Sequence, residues 1–171
     1  LLVCMAVLGV LVGVATPAMR ERIVDIRMGV VMNEFVTSLY MARSEAVRLA
    51  TRTVVCPSAD GSSCASGSAW HDGWIVFSDP TGGNDCQADA LGVCLTGGTL
   101  LHVQGALPAS MTLVGTGNPS IRIAYSPEGF ARGYAGHLTL CHDGLPHLRR
   151  GVALSMSGRI RKALRDDLQC E

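Results

Sequence analysis

The chain opens on a long uncharged run and continues in an amphipathic helical pattern. Residues 1–19 carry no charged side chain, and a helix of this length spans about 28 Å, the hydrocarbon thickness of a bilayer. Over 23–52 apolar side chains recur every three or four positions, at Val31, Phe35, Leu39, Ala42, Ala46 and Leu49. We predict one helix with a transmembrane half, 1–22, and an amphipathic half, 23–52. Two alternatives, a buried core helix and a cleaved signal peptide, fit less well, because a signal's apolar core is normally about 7–15 residues.

Beyond residue 52 the pattern changes to short β-like runs separated by turn residues. The predicted strands are 53–56, 73–78, 99–103, 111–114, 120–125, 137–141 and 147–157. Segments 60–67 and 79–92 are rich in Gly, Ser, Asp and Asn and predict loops, and 142–144 (HDG) predicts a hairpin turn between the last two strands. These elements predict an α+β fold in which the helix packs on an antiparallel β head domain, 53–171.

Six of the seven cysteines lie in the predicted head: Cys56, Cys64, Cys86, Cys94, Cys141 and Cys170. Cys4 lies in the apolar run and is interpreted as a small unpaired hydrophobe. Six cysteines permit fifteen pairings, of which we favour the local one, Cys56–Cys64, Cys86–Cys94 and Cys141–Cys170. A zinc site is the rival interpretation, but the chain has no C-x-x-C or H-x-x-x-H spacing, so we expect no metal.

Charge is distributed unevenly along a chain whose formal net charge is zero. Residues 53–121 contain five aspartates and no Lys or Arg, whereas residues 122–165 contain eight cations against two carboxylates. Seven of those eight cations are arginines, which favour bidentate contacts with phosphate or carboxylate. The C-terminal third is therefore the part of the chain that we expect to attract an anionic partner.

The basic cluster of the C-terminal third consists of Arg149, Arg150, Arg159, Arg161, Lys162 and Arg165. Extended backbone after Gly158 would place Arg159 and Arg161 on one face and Ile160 on the other. Adjacent guanidinium groups can bind successive phosphates without reading base sequence. The alternative is a solvated strand face, or pairing with Asp166, Asp167 and Glu171, and charge alone favours this alternative.

Other candidate chemistry is sparse. Trp70 and Trp74 are able to stack on nucleic-acid bases, but their spacing beside a strand puts at least one of them in the core. Core packing is favoured for Trp74, and both interpretations stay open for Trp70. The histidines have no metal-ligand spacing, and no phosphate-binding loop, paired-carboxylate site or Ser/His/Asp arrangement is present. We therefore expect a protein that is not an enzyme and that needs no cofactor.

Several ordered motifs resemble those of the GspH/FimT family of minor pilins and pseudopilins. They are the apolar opening 1–19, ARSEA at 42–46, CPSADGSSC at 56–64, WHDGWIVFSD at 70–79 and GRIR at 158–161 before Cys170. The family's processing motif is absent, and Leu1 would fall just beyond its glutamate, so a truncated start is expected. Residues 80–120 are the least family-like. The resemblance extends over nearly the whole chain, and its specificity comes from the order of the motifs.

The resemblance implies a type IV pilin-like fold and a set of partners. Other pilins or pseudopilins would bind through the N-terminal helix, and a prepilin peptidase would mature the chain. The helix would cross the bacterial inner membrane once and leave the head in the periplasm. The protein would be incorporated into a surface pilus or a periplasmic pseudopilus. The FimT branch implies non-specific binding of double-stranded DNA in natural transformation through the basic cluster, which we favour once the GRIR motif is included. The GspH branch implies a structural pseudopilin of type II secretion without DNA binding.

Overall fold

The computed structural model describes the backbone of residues 2–67 and 69–170, and the side chains of the same residues except 2–18 and 165. Its single long helix, α1, runs from Leu2 to Arg48. Within this described part of the chain, no helix has the length and apolar character that crossing a bilayer requires. The predicted transmembrane half, 1–22, depends mainly on side chains outside the described residues, as does the interpretation of Cys4, and both stay predictions.

The helix ends at Arg48, earlier than predicted, in a backbone motif that needs no glycine in this chain. The N–H of Thr51 donates to the carbonyl oxygen of Ala46 at 3.2 Å, and the N–H of Ala50 donates to that of Val47 at 3.3 Å. Ala50 has a φ of +47°, so these two bonds form a Schellman cap around a left-handed alanine. Leu49, predicted to lie on the buried face, is 39% exposed because the chain leaves the helix here.

Eight strands form two antiparallel four-stranded sheets. They are β1 (Thr53–Pro57), β2 (Trp74–Ser78), β3 (Leu100–Gln104), β4 (Met111–Gly115), β5 (Ile123–Tyr125), β6 (Gly136–His142), β7 (Arg149–Leu154) and β8 (Ile160–Lys162). The first sheet has the order β3-β2-β1-β5 and the second the order β4-β6-β7-β8. The predicted α+β architecture, a helix on an antiparallel β head, is therefore confirmed.

Each of the seven predicted strands overlaps one of β1 to β7, and Asp143 and Gly144 lie in the turn after β6. The eighth strand, β8, is an addition to the prediction. In β8 and the residue before it, side chains alternate between the two faces as predicted, since Ile160 is buried while Arg159 and Arg161 are exposed.

The main hydrophobic core is shared by α1 and the inner faces of both sheets. Phe35, Leu39, Ala42 and Ala46 are fully buried there, and Val31 is nearly so, which confirms the predicted apolar face of the helix apart from Leu49. The helix contributes to this core alongside Val55, Trp74, Val76, Ile123 and Tyr125 of the first sheet and Leu138, Leu140, Val152, Leu154 and Ile160 of the second. The C-terminal half of α1 is thus an integral part of the head.

The outer face of each sheet is covered by a segment that contains disulfide-bonded cysteine. Over the first sheet, Cys86 and Cys94 of the 79–98 loop pack with Val54, Ile75 and Phe77. Over the second sheet, Leu168 and Ala163 of the C-terminal segment pack on Ala153. The bonded pairs are Cys56–Cys64, Cys86–Cys94 and Cys141–Cys170, as predicted. Loops closed in this way restrict the unfolded chain. Cys141–Cys170 ties the C-terminal segment to β6, whereas Cys86–Cys94 closes the 79–98 loop on itself.

Candidate nucleic-acid interface

The turn between β7 and β8 is built from reciprocal hydrogen bonds around Ser155. Its hydroxyl donates to the carbonyl oxygen of Arg159 at 3.1 Å and accepts from the Arg159 N–H at 3.2 Å. Gly158 has a φ of +76°, and a Cβ placed there would lie 2.3 Å from the carbonyl oxygen of Gly129. Glycine is required at this position by both conformation and space. The turn therefore fixes the direction in which β8 leaves it.

β8 and the residue that precedes it, Arg159, present three cations to solvent at the edge of the second sheet. Arg161 pairs in register with Ala153 and Lys162 with Val152, while Ile160 is anchored in the core. The side chains of Arg159, Arg161 and Lys162 are exposed. Among the described residues, none forms a hydrogen bond or an ion pair with these three side chains. An edge strand with unpaired cations is a surface on which a polyanion can lie.

The other members of the basic cluster have different surroundings. Arg149 donates from Nη1 to the carbonyl oxygen of Leu168 at 2.9 Å and so holds the C-terminal segment. Arg150 donates from Nη2 to Asp25 Oδ1 at 2.9 Å, which joins β7 to α1. The backbone of Arg165 begins a short 3₁₀ turn, and its side chain lies outside the described residues. The structure thus brings Arg159, Arg161 and Lys162 together and engages Arg149 and Arg150 in protein contacts.

The acidic residues near the C-terminus do not neutralise the exposed cations within the described part of the chain. Asp167 lies 3.6 Å from Nε2 of His137, a contact that becomes an ion pair when the imidazole is protonated. No ion pair links Asp166 or Asp167 to Arg159, Arg161 or Lys162 among the described side chains. Glu171 lies outside the described residues, so pairing with it stays a prediction.

Both tryptophans belong to the core. Trp70 and Trp74 are fully buried, and each packs edge-on against Phe35, with ring centroids 5.3 and 5.1 Å away. The indole N–H of Trp74 donates to the hydroxyl of Ser38 at 3.0 Å, and that of Trp70 donates to the carbonyl oxygen of Pro119 at 3.0 Å. Stacking on bases would require either ring to leave this core. The core-packing prediction is confirmed for Trp74, and Trp70, which the sequence left undecided, is a core residue as well.

A groove of about 300 Å³, here named the basic groove, lies between α1 and strands β7 and β8. Its lining combines apolar side chains with three cations, Arg150, Arg161 and Lys162. The helix supplies Gly29, Met32, Val36 and Tyr40. Sequence reasoning missed this face of the helix, although its members recur every three or four residues and so obey the periodicity that revealed the core face.

The carboxylates of the family-like motifs organise loops. Asp60 accepts hydrogen bonds from the Ser63 hydroxyl and from the N–H groups of Ser62 and Ser63, and these bonds hold the pKa of Asp60 well below its usual range. The buried Asp79 accepts from the N–H groups of Gly82, Gly83 and Asn84. Neither carboxylate contacts a second acid or a histidine among the described residues, and the hydroxyl groups that donate to them belong to the same loops. In the same part of the chain, no cluster of His, Cys, Asp and Glu side chains has a metal-binding arrangement.

Solved structures with a similar arrangement of helix and sheets include a minor pilin and a minor pseudopilin. The type IV minor pilin FimU of Pseudomonas aeruginosa is similar with a TM-score of 0.52 and 18% identity, over 77% of this chain and 84% of that one. The minor pseudopilin EpsH from the type 2 secretion system of Vibrio cholerae is similar with a TM-score of 0.53 and 13% identity, over 80% of this chain and 96% of that one. At these identities the likeness concerns the fold. A comparison with curated protein sequences finds no match.

The fold defines the class of protein: a type IV pilin-like subunit, with a long N-terminal helix on a disulfide-bonded β head. The family described as "Type II transport protein GspH" matches residues 31–158, well over half of the chain. The chain belongs to this family, and it is a GspH/FimT-like minor pilin or pseudopilin. Proteins of this class are filament subunits and not enzymes.

Proposed function

We propose that this protein is a minor type IV pilin that binds double-stranded DNA without sequence preference through the edge of β8, in the service of natural transformation. The observation that carries the proposal is the exposure of Arg159, Arg161 and Lys162 on a free strand edge, with no partner among the described residues. Phosphate contacts from such side chains supply affinity but carry no base information.

The two arginines are spaced for a linear polyanion. Residues 159 and 161 are separated by roughly 6.6 Å along extended backbone and project to the same side. Lys162 adds a third cation, and the β7–β8 turn restricts both Arg159, which it holds through Ser155, and the strand that follows it. Because the guanidinium is planar and always charged, each arginine can donate two parallel hydrogen bonds to one phosphate.

The rest of the proposal concerns assembly. The N-terminal helix would anchor the chain in the inner membrane with its head in the periplasm and would pack with the helices of other pilins after prepilin peptidase has matured the chain. Incorporation in a filament would place several DNA-binding edges along one line. Weak individual contacts would then combine into useful avidity.

The test uses the full chain in neutral-detergent micelles and fluorescent duplexes of unrelated sequence. Wild type is expected to bind all of them with similar affinity at low salt, and Arg159→Ala/Arg161→Ala is expected to lose at least roughly tenfold. A matched control, Arg48→Ala/Arg132→Ala, removes the same charge from two exposed positions outside β8 and should retain binding. If folded wild type does not bind DNA, or if both variants lose the same affinity, β8 is not the DNA-binding site.

A second candidate function is that of a structural minor pseudopilin of type II secretion, which works through filament contacts alone. It is favoured by the matched family's description and by the structural use of Arg149 and Arg150 within the protein. Neighbouring genes distinguish the candidates, since pilus-assembly genes favour the first and secretion genes the second. Normal filament assembly by the Arg159→Ala/Arg161→Ala variant, without any loss of DNA uptake, would also favour the second.

A further inference from the structure

Three large apolar side chains are exposed close together on the loop that covers the first sheet. Leu91 is 87% exposed, Val93 45% and Leu95 79%. Single exposed hydrophobics are ordinary on protein surfaces, but three within five residues form a patch that favours association. We name Leu91, Val93 and Leu95 the apolar tip. It lies in 80–120, where the chain is least like the family's motifs.

The apolar tip is held rigid by the protein itself. The Cys86–Cys94 disulfide closes its loop, and Asp89 Oδ1 accepts hydrogen bonds at 2.9 Å from the N–H groups of both Leu91 and Val93. Backbone bridges join Ala88 to Cys94 and Val93 to Thr99. A surface that is ordered before binding loses little conformational entropy when a partner covers it.

The surroundings of the apolar tip specify the charge of its partner. Asp85 and Asp89 are exposed beside it, and residues 53–121 contain no Lys or Arg. A partner surface that buries the leucines therefore needs an apolar floor for the side chains and cations at its rim. A rim of carboxylates would be repelled.

The chain itself carries a surface of that description. Met32, Val36, Val152 and Ile160 line the basic groove, and Arg161 and Lys162 bring positive charge to it, whereas the charge of Arg150 is paired with Asp25. The apolar tip belongs to the loop over the outer face of the first sheet, whereas the basic groove lies between α1 and the second sheet. A contact between the two therefore joins two copies.

We propose that the apolar tip of one copy docks in the basic groove of a second copy. The two contacting surfaces are different, so the contact is heterologous and leaves each copy with one free tip and one free groove. Repetition of the contact builds an open row of heads, which matches the open symmetry of a filament. This contact does not depend on DNA binding, although both use Arg161 and Lys162.

The composition of the chain offers a sharp test, because Lys162 is the single lysine among the 171 residues. A carbodiimide couples a carboxylate to an amine without a spacer, so Lys162 should become linked to Asp85 or Asp89 of a second copy. The full chain is treated at low salt in neutral-detergent micelles, with micelles in excess, and covalent dimers are mapped by mass spectrometry. Leu91→Ser/Leu95→Ser should reduce this dimer by roughly tenfold, whereas Val47→Ser, at an exposed apolar site on α1, should not.

A mixing experiment tests the direction of the contact. Lys162→Arg keeps the charge of the groove but removes the reactive amine, and Leu91→Ser/Leu95→Ser keeps the amine but removes the tip. Each variant alone should form little of the linked dimer, and the mixture should recover it, because the tip of the first docks in the groove of the second. Recovery supports the proposal. A mixture that stays unlinked, or dimers in which Lys162 is joined only to carboxylates far from the tip, would overturn it.

Discussion

The guanidinium of Arg43 on α1 donates a hydrogen bond from Nη2 to the carbonyl oxygen of Ser157, 3.2 Å away in the turn before β8. The Arg43 Nε also lies 3.3 Å from the position of a Cβ at Gly158 and 3.2 Å from one at Gly129. The helix motif ARSEA and the C-terminal motif GRIR, far apart in the chain, thus meet at one point of the fold. Arg43 ties the turn that carries Arg159 to the helix that forms the core.

Loss of Arg43 should weaken DNA binding by changing how β8 is presented. We expect Arg43→Ala to lower the affinity roughly three- to tenfold, since one charge-assisted hydrogen bond to the turn is lost. The salt dependence of binding should stay as in wild type, because Arg43 itself does not touch phosphate. A lysine at this position should restore part of the affinity. If the salt slope instead falls by about one, Arg43 is a direct phosphate ligand and not a positioning residue.

Replacing Gly158 with alanine should destabilise the protein more than replacing a glycine that has a similar positive φ but open space around it. Gly158→Ala adds a methyl group 2.3 Å from the carbonyl oxygen of Gly129 at a φ of +76° and should cost more than about 2 kcal/mol of unfolding free energy. Gly133→Ala is the matched control, because Gly133 has a φ of +82° and open space around it, and should cost about 1 kcal/mol. Denaturant unfolding measures both. Equal costs would mean that the close approach to Gly129 is not a constraint.

Replacing Ala50, the left-handed residue at the end of α1, with glycine should stabilise the protein. Ala50→Gly relieves the strain of a φ of +47° and keeps both hydrogen bonds of the cap, so the protein should gain about 0.5–1 kcal/mol. Ala90→Gly, at an exposed loop residue without positive φ, should give no gain, because there glycine only adds freedom to the unfolded chain. The comparison is made by thermal unfolding. A loss of stability on Ala50→Gly would show that the cap does not strain Ala50.

The carboxylate of Asp60 should make stability depend on pH in the acid range. Hydrogen bonds from Ser63 and from the backbone N–H groups lower the pKa of Asp60 on folding, so the folded protein binds this proton less tightly than the unfolded chain does. Its contribution is complete well above the unfolded pKa of about 3.9 and declines as the pH falls below it. The stability difference between wild type and Asp60→Asn should therefore be constant from pH 7 to about pH 5 and shrink towards pH 3.

The matched control for Asp60 is Asp143→Asn, which neutralises an exposed carboxylate that accepts no hydrogen bond among the described residues. Its stability difference from wild type should change less between pH 7 and pH 3. A difference for Asp60→Asn that does not vary with pH would contradict the role given to its hydrogen bonds. Denaturant midpoints at several pH values provide the measurement.

The local pattern of apolar and polar residues was sufficient to predict most of the fold. The spacing of Phe35, Leu39 and Ala42 predicted the buried face of the helix, because that face follows from 3.6 residues per turn alone. The three disulfides join cysteines that are consecutive along the head, so pairing each cysteine with its neighbour in sequence was sufficient to predict them. The helix end was misplaced because its cap uses Ala50 where glycine is the usual signal, and no local pattern marks a left-handed alanine.

The candidate site was predictable only in part. The sequence identified the cations, and alternation around Ile160 indicated which of them would be exposed. It gave no means to separate Arg149 and Arg150 from the rest, because their partners Leu168 and Asp25 are distant in sequence. The basic groove is missed for the same reason, since it combines one face of α1 with strands more than a hundred residues later. Contacts between single polar side chains that are distant in sequence produce no periodic pattern in the sequence.

The most direct test of a DNA-binding β8 edge is the salt dependence of duplex affinity for wild type and for Arg159→Ala/Arg161→Ala. Fluorescence anisotropy across a salt series gives the slope of log affinity against log salt, which is about −0.9 for each phosphate neutralised. If the β8 edge binds DNA, the slope for the double variant should be shallower by about two, because two phosphate contacts are lost. An unchanged slope, in a variant that remains folded, would contradict it and leave a structural minor pilin or pseudopilin.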